Sequence, residues 1–209
     1  APLDLGGKKK DLADAAAPPP SSSPSLPEAS PEMPLLPPQG GANGEVTAAV
    51  HLAQLAESVD ELRRALETFD GCGLKKTATK LVFTDGNPEA PILFVGEGPG
   101  AEEDRQGLPF VGKAGRLLDR MLKAAQLEGR GIITNTVFWR PPGNRTPSPE
   151  EQAICAPFVA RALELVKPKL VLAMGASAAR GMLGKTVSSS KVRGAPIPLE
   201  HGSELWSTA

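Results

Sequence analysis

The spacing of hydrophobic side chains separates the chain into helical and strand-like regions. Between residues 46 and 68, apolar positions recur every three or four residues, which predicts one amphipathic helix. Beyond residue 80, short apolar runs alternate with amphipathic stretches, as they do in proteins that cover a sheet with helices. The predicted strands are residues 80–83, 91–95, 131–137 and 170–174, and the predicted helices are residues 114–126, 149–167 and 176–183.

Local sequence features fix several of these boundaries. The sequence Asp85-Gly86-Asn87-Pro88 predicts a turn that closes the first strand. Ser148 and Glu151 have the spacing of a helix capping box, and Pro149 suits the first helical position. The helix then ends near residue 167 because Pro168 cannot continue it.

Strands that alternate with helices predict an α/β fold with a mostly parallel central sheet and helices on both faces. In such sheets, ligands bind beyond the carboxyl ends of the strands. The glycine-rich loop at residues 96–100 and Asn135 are therefore expected at the same mouth of the sheet. The helix at 114–126 is expected to bury an apolar stripe formed by Leu117, Leu118, Met121 and Leu122.

Composition sets the amino-terminal region apart. The chain has 209 residues with 22 glycines and 22 prolines, and ten of the prolines precede residue 39. Residues 1–45 are therefore predicted to be a disordered tail rich in Pro, Ala and Ser, followed by one domain at residues 46–209. The sequence has no run of 18 apolar residues that would span a membrane and no visible secretory signal.

Charge and cysteine content narrow the class of protein. The net charge is −1, yet residues 105–193 contain 15 Lys or Arg and five Asp or Glu. This excess of basic residues favours a polyanion such as nucleic acid as partner, and it also fits an ordinary solvated surface. The two cysteines are too few for a disulfide framework or for a zinc or iron–sulfur site made from cysteines alone. They suit a reducing cytoplasm.

Three loops hold the residues best suited to chemistry. GEGPGAEED follows the strand at 91–95, GLPFVGKAG comes shortly after it, and TNTVFWRPPGNR begins within the strand at 131–137. Glycines permit tight turns and close approach of the backbone to a ligand. The first loop has neither the G-x-G-x-x-G spacing of dinucleotide-binding folds nor the Gly-Lys-Ser/Thr of phosphate-binding loops, so those two functions are not supported.

Together, GEGPGAEEDRQGLPFVGKAGRLLDRML and the later ITN…RPPGNRTPSPEE resemble the family 4 uracil-DNA glycosylases, the usually iron–sulfur branch of the uracil-DNA glycosylase superfamily. The likeness extends from Phe69 to Gly194. It implies a three-layer fold and a DNA repair enzyme that hydrolyses the N-glycosidic bond of deoxyuridine, releases uracil and leaves an abasic site. Such an enzyme must flip the nucleotide out of the stack, recognise the base and stabilise the charges that separate.

The resemblance also implies a role for each matching residue. Glu97 is the acid near the sugar and the attacking water, and Phe110 is the ring that stacks on uracil. Asn135 pairs with N3–H and O4 of uracil and so rejects cytosine, while Glu103 crowds C5 and would clash with the methyl group of thymine. Backbone at Gly98, Pro99 and Gly100 completes the uracil pocket, and phosphates are contacted by Arg140, Asn144 and Arg145.

Each of these side chains also has a purely structural interpretation. Glu97 suits an acid that caps backbone N–H groups, Phe110 an ordinary core ring, and Asn135 an amide that ends a strand. Glu103 suits a solvated member of the acidic run 102–104. Arg145 suits an ion pair that holds its loop.

The chain departs from the family at the cluster-binding positions. The family holds a [4Fe–4S] cluster through four cysteines, and the matching positions here are Phe69, Cys72, Trp139 and Cys155. Two thiolates hold such a cluster poorly. The aromatic side chains are expected to fill the vacated volume and pack on the cysteines, so we predict a degenerate iron–sulfur site and no cofactor.

A second departure concerns the family's histidine loop. That loop has the sequence His-Pro-Ser or His-Pro-Ala, and its histidine stabilises the uracil oxyanion. The present chain contains only His51 and His201, expected on the helix surface and in a loop, and neither precedes a proline. The chain is therefore expected to end short of this motif, without the final strand and helix of the fold and with an open sheet edge.

These observations favour a monomeric uracil-DNA glycosylase whose partner is uracil-containing DNA and not a membrane, located in the cytoplasm with the bacterial nucleoid. The alternative is a catalytically impaired module of the same fold that binds nucleic acid. Such a module would bind DNA in a salt-dependent way with little preference for uracil. A third reading is an α/β domain that acts on another nucleotide.

Overall fold

The computed structural model describes residues 43–183, 196–199 and 202–208. The helices are α1 (Asn43–Leu55), α2 (Val59–Thr68), α3 (Ala101–Gln106), α4 (Lys113–Ala124), α5 (Pro149–Val166) and α6 (Ala176–Leu183). The strands are β1 (Asp85–Gly86), β2 (Ile92–Gly96), β3 (Gly131–Asn135), β4 (Leu170–Ala173), β5 (Ile197–Pro198) and β6 (Glu204–Ser207). Within these ranges, no helix combines the length and apolar character that crossing a bilayer requires.

The six strands form one sheet in the order β1-β3-β2-β4-β6-β5. The central pairs β3-β2, β2-β4 and β4-β6 are parallel, and the short strands β1 and β5 pair antiparallel at the two edges. This arrangement confirms the predicted α/β fold with a mostly parallel sheet. It also brings the carboxyl ends of the four central strands to one edge of the molecule.

Alternating side chains of the central strands pack on opposite layers of helices. Leu93 and Val95 of β2 belong to a large core that also contains buried residues of α1, α2, α5 and α6. Ile92 and Phe94 of the same strand point to the opposite face, where Leu118 of α4 covers them. The prediction of helices on both faces is confirmed.

The predicted helix at 46–68 is wrong as a single element. It begins earlier, at Asn43, and it is divided by an extended segment between α1 and α2. Ser58 is the N-cap of α2, and its side-chain oxygen accepts a hydrogen bond from the Glu61 amide at 3.2 Å. The Ala56 carbonyl oxygen accepts hydrogen bonds from the Arg161 guanidinium, so the break is also held to α5. His51 lies exposed on α1, as predicted.

The predicted strand at 80–83 and the turn at 85–88 are also wrong in detail. The ladder residues are Asp85 and Gly86, which pair antiparallel with β3. Just upstream, the amides of Thr79 and Lys80 donate to the buried carboxylate of Asp104, at 2.7 and 3.1 Å. The Val82 amide donates to the Phe138 carbonyl oxygen, beyond the end of β3, so the segment at 80–83 forms no regular ladder with β3.

The carboxyl-terminal region corrects the expectation of a missing final strand. β6 lies parallel to β4, with Leu205 opposite Val171 in the register, and β5 covers its outer edge. The edge that was expected to be open beside β4 is therefore paired. Arg193, Gly194 and His201, like the predicted tail up to residue 42, lie outside the described residues.

The long helix α5 follows its sequence signals closely. The Ser148 side chain accepts from the Glu151 amide, and the Glu151 carboxylate accepts from the Ser148 amide at 2.7 Å, which confirms the capping box. The helix ends as Lys167 turns into a left-handed conformation at φ 49° before Pro168. This helix carries Cys155 and Phe158 into the core beneath the sheet.

Candidate active site

A pocket of about 530 Å³ opens at the carboxyl ends of the central strands. β2 ends at Gly96 and β3 ends at Asn135, and the parallel register places these two residues side by side. The loops that follow the strands complete the walls, together with one side of α4. The lining residues are Gly96, Glu97, Gly98, Gly100, Glu103, Phe110, Gly112, Lys113, Ala114, Leu117, Leu118, Met121, Asn135, Met174 and Thr208.

The backbone of Glu97 is fixed while part of its carboxylate has no partner. The Glu97 carbonyl oxygen accepts from the Thr136 hydroxyl at 2.6 Å and from the Val137 amide at 3.3 Å. Its Oε1 atom is buried and makes no hydrogen bond within the described part of the chain. An acid that caps neighbouring backbone groups would show the opposite pattern, so the geometry favours an acid held ready for a ligand.

Asn135 presents a second buried polar atom to the same pocket. The residue is 2% exposed, and its Nδ2 atom finds no acceptor among the residues that the structure describes. An unpaired buried amide costs about 1–3 kcal/mol of stability, and such groups often mark a ligand site. Glu97 and Asn135 together thus offer one carboxylate oxygen and one amide donor at the end of adjacent strands.

Phe110 lies beside Asn135 near the end of β2, in a strained backbone conformation. Its φ of 56° is in the left-handed region, which a bulky residue rarely adopts. A Cβ atom at Gly96 would lie 2.7 Å from the Phe110 ring and would also overlap the Asn135 side-chain oxygen. Glycine at position 96 is therefore required for the ring and the amide to approach the end of β2 together.

The first loop places two of its three predicted residues in the pocket. Gly98 and Gly100 line it, whereas Pro99 is buried outside the lining. A Cβ atom at Gly98 would lie 2.8 Å from Val137, and one at Gly100 would lie 2.7 Å from a Glu103 oxygen. The glycines therefore serve close packing of this loop against its neighbours.

Glu103 is not a solvated member of an acidic run. It is half-buried, lines the pocket, and accepts a hydrogen bond from the Gly112 amide at 2.7 Å. Its neighbour Glu102 is the residue with the surface character, since it pairs with Arg105 and Gln106 on α3. The pKa of the Glu102 carboxyl is lowered, mainly by the hydrogen bond from Arg105.

The predicted phosphate contacts lie outside the pocket lining, on the loop that leads from β3 to α5. Arg140 donates from Nε to the side-chain oxygen of Asn144 at 2.7 Å. Arg145 forms two hydrogen bonds to the Glu151 carboxylate, at 2.6 and 2.8 Å. This pairing lowers the pKa of Glu151 and supports the loop-holding interpretation of Arg145.

The four positions that match the family's cluster ligands come together in one core. Phe69, Cys72, Trp139 and Cys155 are all at most 3% exposed and belong to the same hydrophobic cluster. The Phe69 ring contacts Phe158 at 5.2 Å between centroids, and Phe138 connects Phe158 to Trp139 at 6.4 and 6.3 Å. We call these six residues, including Phe138 and Phe158, the thiol–aromatic core.

The chemistry of this core does not fit a [4Fe–4S] cluster. Such a cluster takes four thiolate ligands, and the core supplies two sulfur atoms and two aromatic rings at the four positions. The thiols interact with each other: a hydrogen bond with Cys155 lowers the pKa of Cys72, while the same contact and burial raise that of Cys155. No group of three or more His, Cys, Asp or Glu suited to a metal ion occurs in the described ranges.

Several pocket residues are not evident from the sequence. The predicted apolar stripe of α4 is only partly buried, because Leu117 and Met121 are 51% and 55% exposed while Leu118 is buried. The two exposed side chains form one wall of the pocket, next to Lys113.

Known proteins resemble the region that contains the pocket. Residues 83–208 match the family model described as the uracil DNA glycosylase superfamily. The type-4 uracil-DNA glycosylase of Thermotoga maritima is 45% identical over 139 residues, which cover 66% of this chain and 72% of the relative. Those of Archaeoglobus fulgidus and Sulfurisphaera tokodaii are 43% and 38% identical, over 59% and 66% of this chain and 63% and 66% of their own lengths.

Proposed function

This chain belongs to the uracil-DNA glycosylase superfamily and is a hydrolase of N-glycosyl bonds, and we propose that it removes uracil from DNA to leave an abasic site. The observation that carries the proposal is the pair of buried, unpartnered atoms in one pocket, Glu97 Oε1 and Asn135 Nδ2. A flipped uracil has a partner for the amide and, at its sugar, a centre of developing positive charge for the carboxylate.

Recognition of the base is assigned to Asn135 and Phe110. The unpaired Nδ2 of Asn135 is a donor for the O4 carbonyl of uracil, and the amide oxygen is an acceptor for N3–H. Cytosine presents an amino group and an unprotonated ring nitrogen at these places, so it would leave the buried amide mismatched. The Phe110 ring, beside Gly96, supplies a face on which the base stacks, as base-binding proteins commonly do.

The chemical step is assigned to Glu97. As the bond between sugar and base breaks, positive charge grows on the sugar and negative charge on the uracil. A carboxylate beside the sugar stabilises that cation or orients the water that attacks it, and such acid–base assistance contributes about 10²–10⁴ in rate. The Thr136 hydroxyl and the Val137 amide both donate to the Glu97 carbonyl oxygen, so the main chain that carries the carboxylate is tied to the segment that follows β3.

We assign DNA binding to the basic segment between residues 105 and 193, which has 15 Lys or Arg and five Asp or Glu. Arg140 is half-buried and Asn144 is exposed on the loop after β3, and the Arg140 Nε donates to the Asn144 side-chain oxygen. We assign the terminal guanidinium nitrogens of Arg140 to phosphate. Arg145 contributes indirectly by fixing this loop to α5.

We further infer that the enzyme works without an iron–sulfur cluster, because the thiol–aromatic core offers two of the four ligands. We also propose a cytoplasmic monomer, a location supported by the pair of buried free thiols. The expected preparation is colourless and contains no stoichiometric iron. A visible absorption band with four irons per chain would contradict this assignment.

The experiment that tests the function is uracil release from an oligonucleotide with a single uracil, with matched oligonucleotides containing thymine or cytosine. The wild-type chain is expected to release uracil only, and Glu97→Gln is expected to lower the rate about a hundredfold or more while the far-ultraviolet circular dichroism spectrum is unchanged. Glu102→Gln is the matched control, since this acid pairs with Arg105 at the surface of α3 and does not line the pocket.

Two results would overturn the proposal. A folded chain that releases no uracil but binds DNA with equal affinity for uracil-containing and normal sequences would instead be a nucleic-acid-binding module. Equal rates for the wild type and Glu97→Gln would remove Glu97 from the mechanism.

A further inference from the structure

One residue holds both ends of the loop that carries Phe110. The Gly107 amide donates to the Glu103 main-chain carbonyl oxygen at 2.7 Å, which ends α3. The Gly112 amide donates to the Glu103 side chain at Oε1, also at 2.7 Å, just before α4 begins. Residues 107–112 thus form a closed loop, and both ends of this loop are hydrogen-bonded to Glu103.

The Glu103 carboxylate fits tightly between two loops. A Cβ atom at Gly100 would lie 2.7 Å from Oε2, and a Cβ atom at Gly112 would lie 2.8 Å from Oε1. Glycine on both sides is what lets the carboxylate reach the backbone of the second loop. A hydrogen bond to an ionised acceptor is stronger than one between neutral groups, so the carboxylate holds the Gly112 amide firmly.

The backbone of the loop at residues 107–112 is also constrained at Phe110. Phe110 at its centre has the left-handed φ of 56°, and its carbonyl oxygen packs so closely against α4 that any side chain at position 115 would overlap it. Its aromatic ring meets the backbone of Gly96. A backbone held in this unfavourable conformation persists only where surrounding contacts enforce it.

We propose that Glu103 is a positioning residue that acts through Phe110. Its carboxylate ties Gly112 to α3 and thereby holds the Phe110 ring at the base-binding wall. The expected effect on uracil release rests on the proposed function. The hydrogen bond between Glu103 and Gly112, which we call the clamp, does not depend on that function. It differs from the role implied by resemblance, in which Glu103 meets the base directly at C5.

The two roles predict different behaviour of substitutions at position 103. If Glu103 positions Phe110, Glu103→Ala lowers kcat/KM for uracil release about tenfold to a hundredfold, the range that loss of one charge-assisted hydrogen bond supplies. Glu103→Gln keeps an oxygen that accepts from the Gly112 amide and recovers most of that loss. Direct crowding of C5 predicts instead that Glu103→Ala releases thymine, which carries a methyl group at C5.

A double-mutant cycle identifies the partner through which Glu103 acts. Phe110→Ala removes the ring, after which the clamp has nothing left to position. The double variant is therefore expected to be no slower than Phe110→Ala alone. Effects that multiply would show that the two residues act independently and would overturn the proposal.

Hydrogen exchange provides a readout that does not depend on activity. In Glu103→Ala, the amide of Gly112 loses its acceptor and is expected to exchange at least tenfold faster, whereas Phe110→Ala leaves its protection in place. Glu102→Ala is the matched control, because the Glu102 side chain is 40% exposed, pairs with Arg105 and does not line the pocket, and it is expected to match the wild type in exchange and in kcat/KM.

The outcomes separate this inference from the proposed function. Wild-type protein that releases no uracil would contradict the function, and exchange at Gly112 would still test the clamp. Active wild-type protein with unchanged exchange and unchanged kcat/KM in Glu103→Ala would overturn the positioning role and leave the function intact.

Discussion

Asn135 of the pocket and Trp139 of the thiol–aromatic core are four residues apart along the chain. The two regions nevertheless differ in how their side chains are packed. Asn135 at the end of β3 faces the pocket with an unpaired amide, and Trp139 is 2% exposed among other rings. In the pocket, glycines make room and polar atoms are left without partners. In the core, rings pack edge to face and the two thiols satisfy each other.

This difference separates residues that stabilise the fold from residues that serve a ligand. Buried polar atoms without partners and a left-handed phenylalanine each lower stability by about 1–3 kcal/mol. Dense aromatic packing supplies stability of similar size or larger. Substitutions in the core should therefore lower stability more than the activity of each folded molecule, and substitutions in the pocket should do the reverse.

The largest expected effect is on stability in the core. Trp139→Ala leaves a cavity among Phe138 and its neighbours and is expected to lower the free energy of unfolding by about 3–5 kcal/mol. Urea titration followed by circular dichroism measures this loss, and activity normalised to folded protein should change less than threefold. Trp206→Ala, at a half-buried position in β6, is the control and should cost clearly less. A loss below about 1 kcal/mol at Trp139 would break the comparison.

The next effect is on activity in the pocket. Asn135→Ala removes the amide that pairs with uracil and is expected to lower kcat/KM about a hundredfold through the loss of two buried hydrogen bonds. Because Nδ2 has no protein partner in the described residues, the free energy of unfolding should not fall in proportion. Kinetics with the single-uracil oligonucleotide and a urea titration of the same sample check both statements. A large loss of stability with unchanged kcat/KM would reverse the roles of the two regions.

A substitution at Gly96, where the Phe110 ring and the Asn135 side chain meet, tests the difference between the pocket and the core. Gly96→Ala places a methyl group against the Phe110 ring and the Asn135 side chain, an overpacking change that costs about 1–3 kcal/mol. Uracil release should fall together with stability, since the backbone that both pocket residues approach is displaced. Gly73→Ala is the matched control, because a Cβ atom there meets nothing within 4 Å. Equal behaviour of the two variants would show that the space at position 96 is not needed.

The smallest expected effect lies on the exposed loop between the two regions. The pKa of Glu151 is lowered in the folded protein, chiefly by hydrogen bonds from Arg145. A lowered folded pKa means that this pair stabilises the protein above the unfolded value of about 4.5 and that the contribution disappears as the pH falls through the folded pKa. Arg145→Ala should therefore cost up to about 1 kcal/mol near pH 7 and less at an acidic pH below about 4.5, where protonation of Glu151 begins to remove the contribution. Urea titrations at the two pH values provide the measurement, and a pH-independent difference would contradict it.

Much of the fold follows from the sequence because its central elements are long and regularly patterned. The strands β2, β3 and β4 and the capped helix α5 were predicted from apolar runs and from Ser148 and Glu151. The errors occur where a distant side chain decides the backbone. The acceptor for the amides of Thr79 and Lys80 is Asp104, more than twenty residues away, and no local pattern reveals it.

The site is predictable to a similar degree and for similar reasons. Loop sequences identify Glu97, Phe110 and Asn135 as pocket residues, and the structure brings all three together. The hydrogen bond from Gly112 to Glu103 spans nine residues and depends on the space that two glycines leave, so sequence spacing does not indicate it. The partner of Arg145 is also difficult to identify from the sequence. Glu151 matches the capping-box pattern, and that pattern does not reveal that the same carboxylate also accepts hydrogen bonds from Arg145.

The burial of both cysteines makes the chain suitable for site-specific labelling. The sequence has two cysteines, and both are completely buried in the thiol–aromatic core, where a maleimide has no access to them. Leu117 is half-exposed on the helical wall of the pocket, so Leu117→Cys introduces a single reactive thiol at the pocket. A dye attached there would report the arrival of DNA on a stopped-flow instrument, and comparison with base release would separate the time of encounter from the time of bond cleavage.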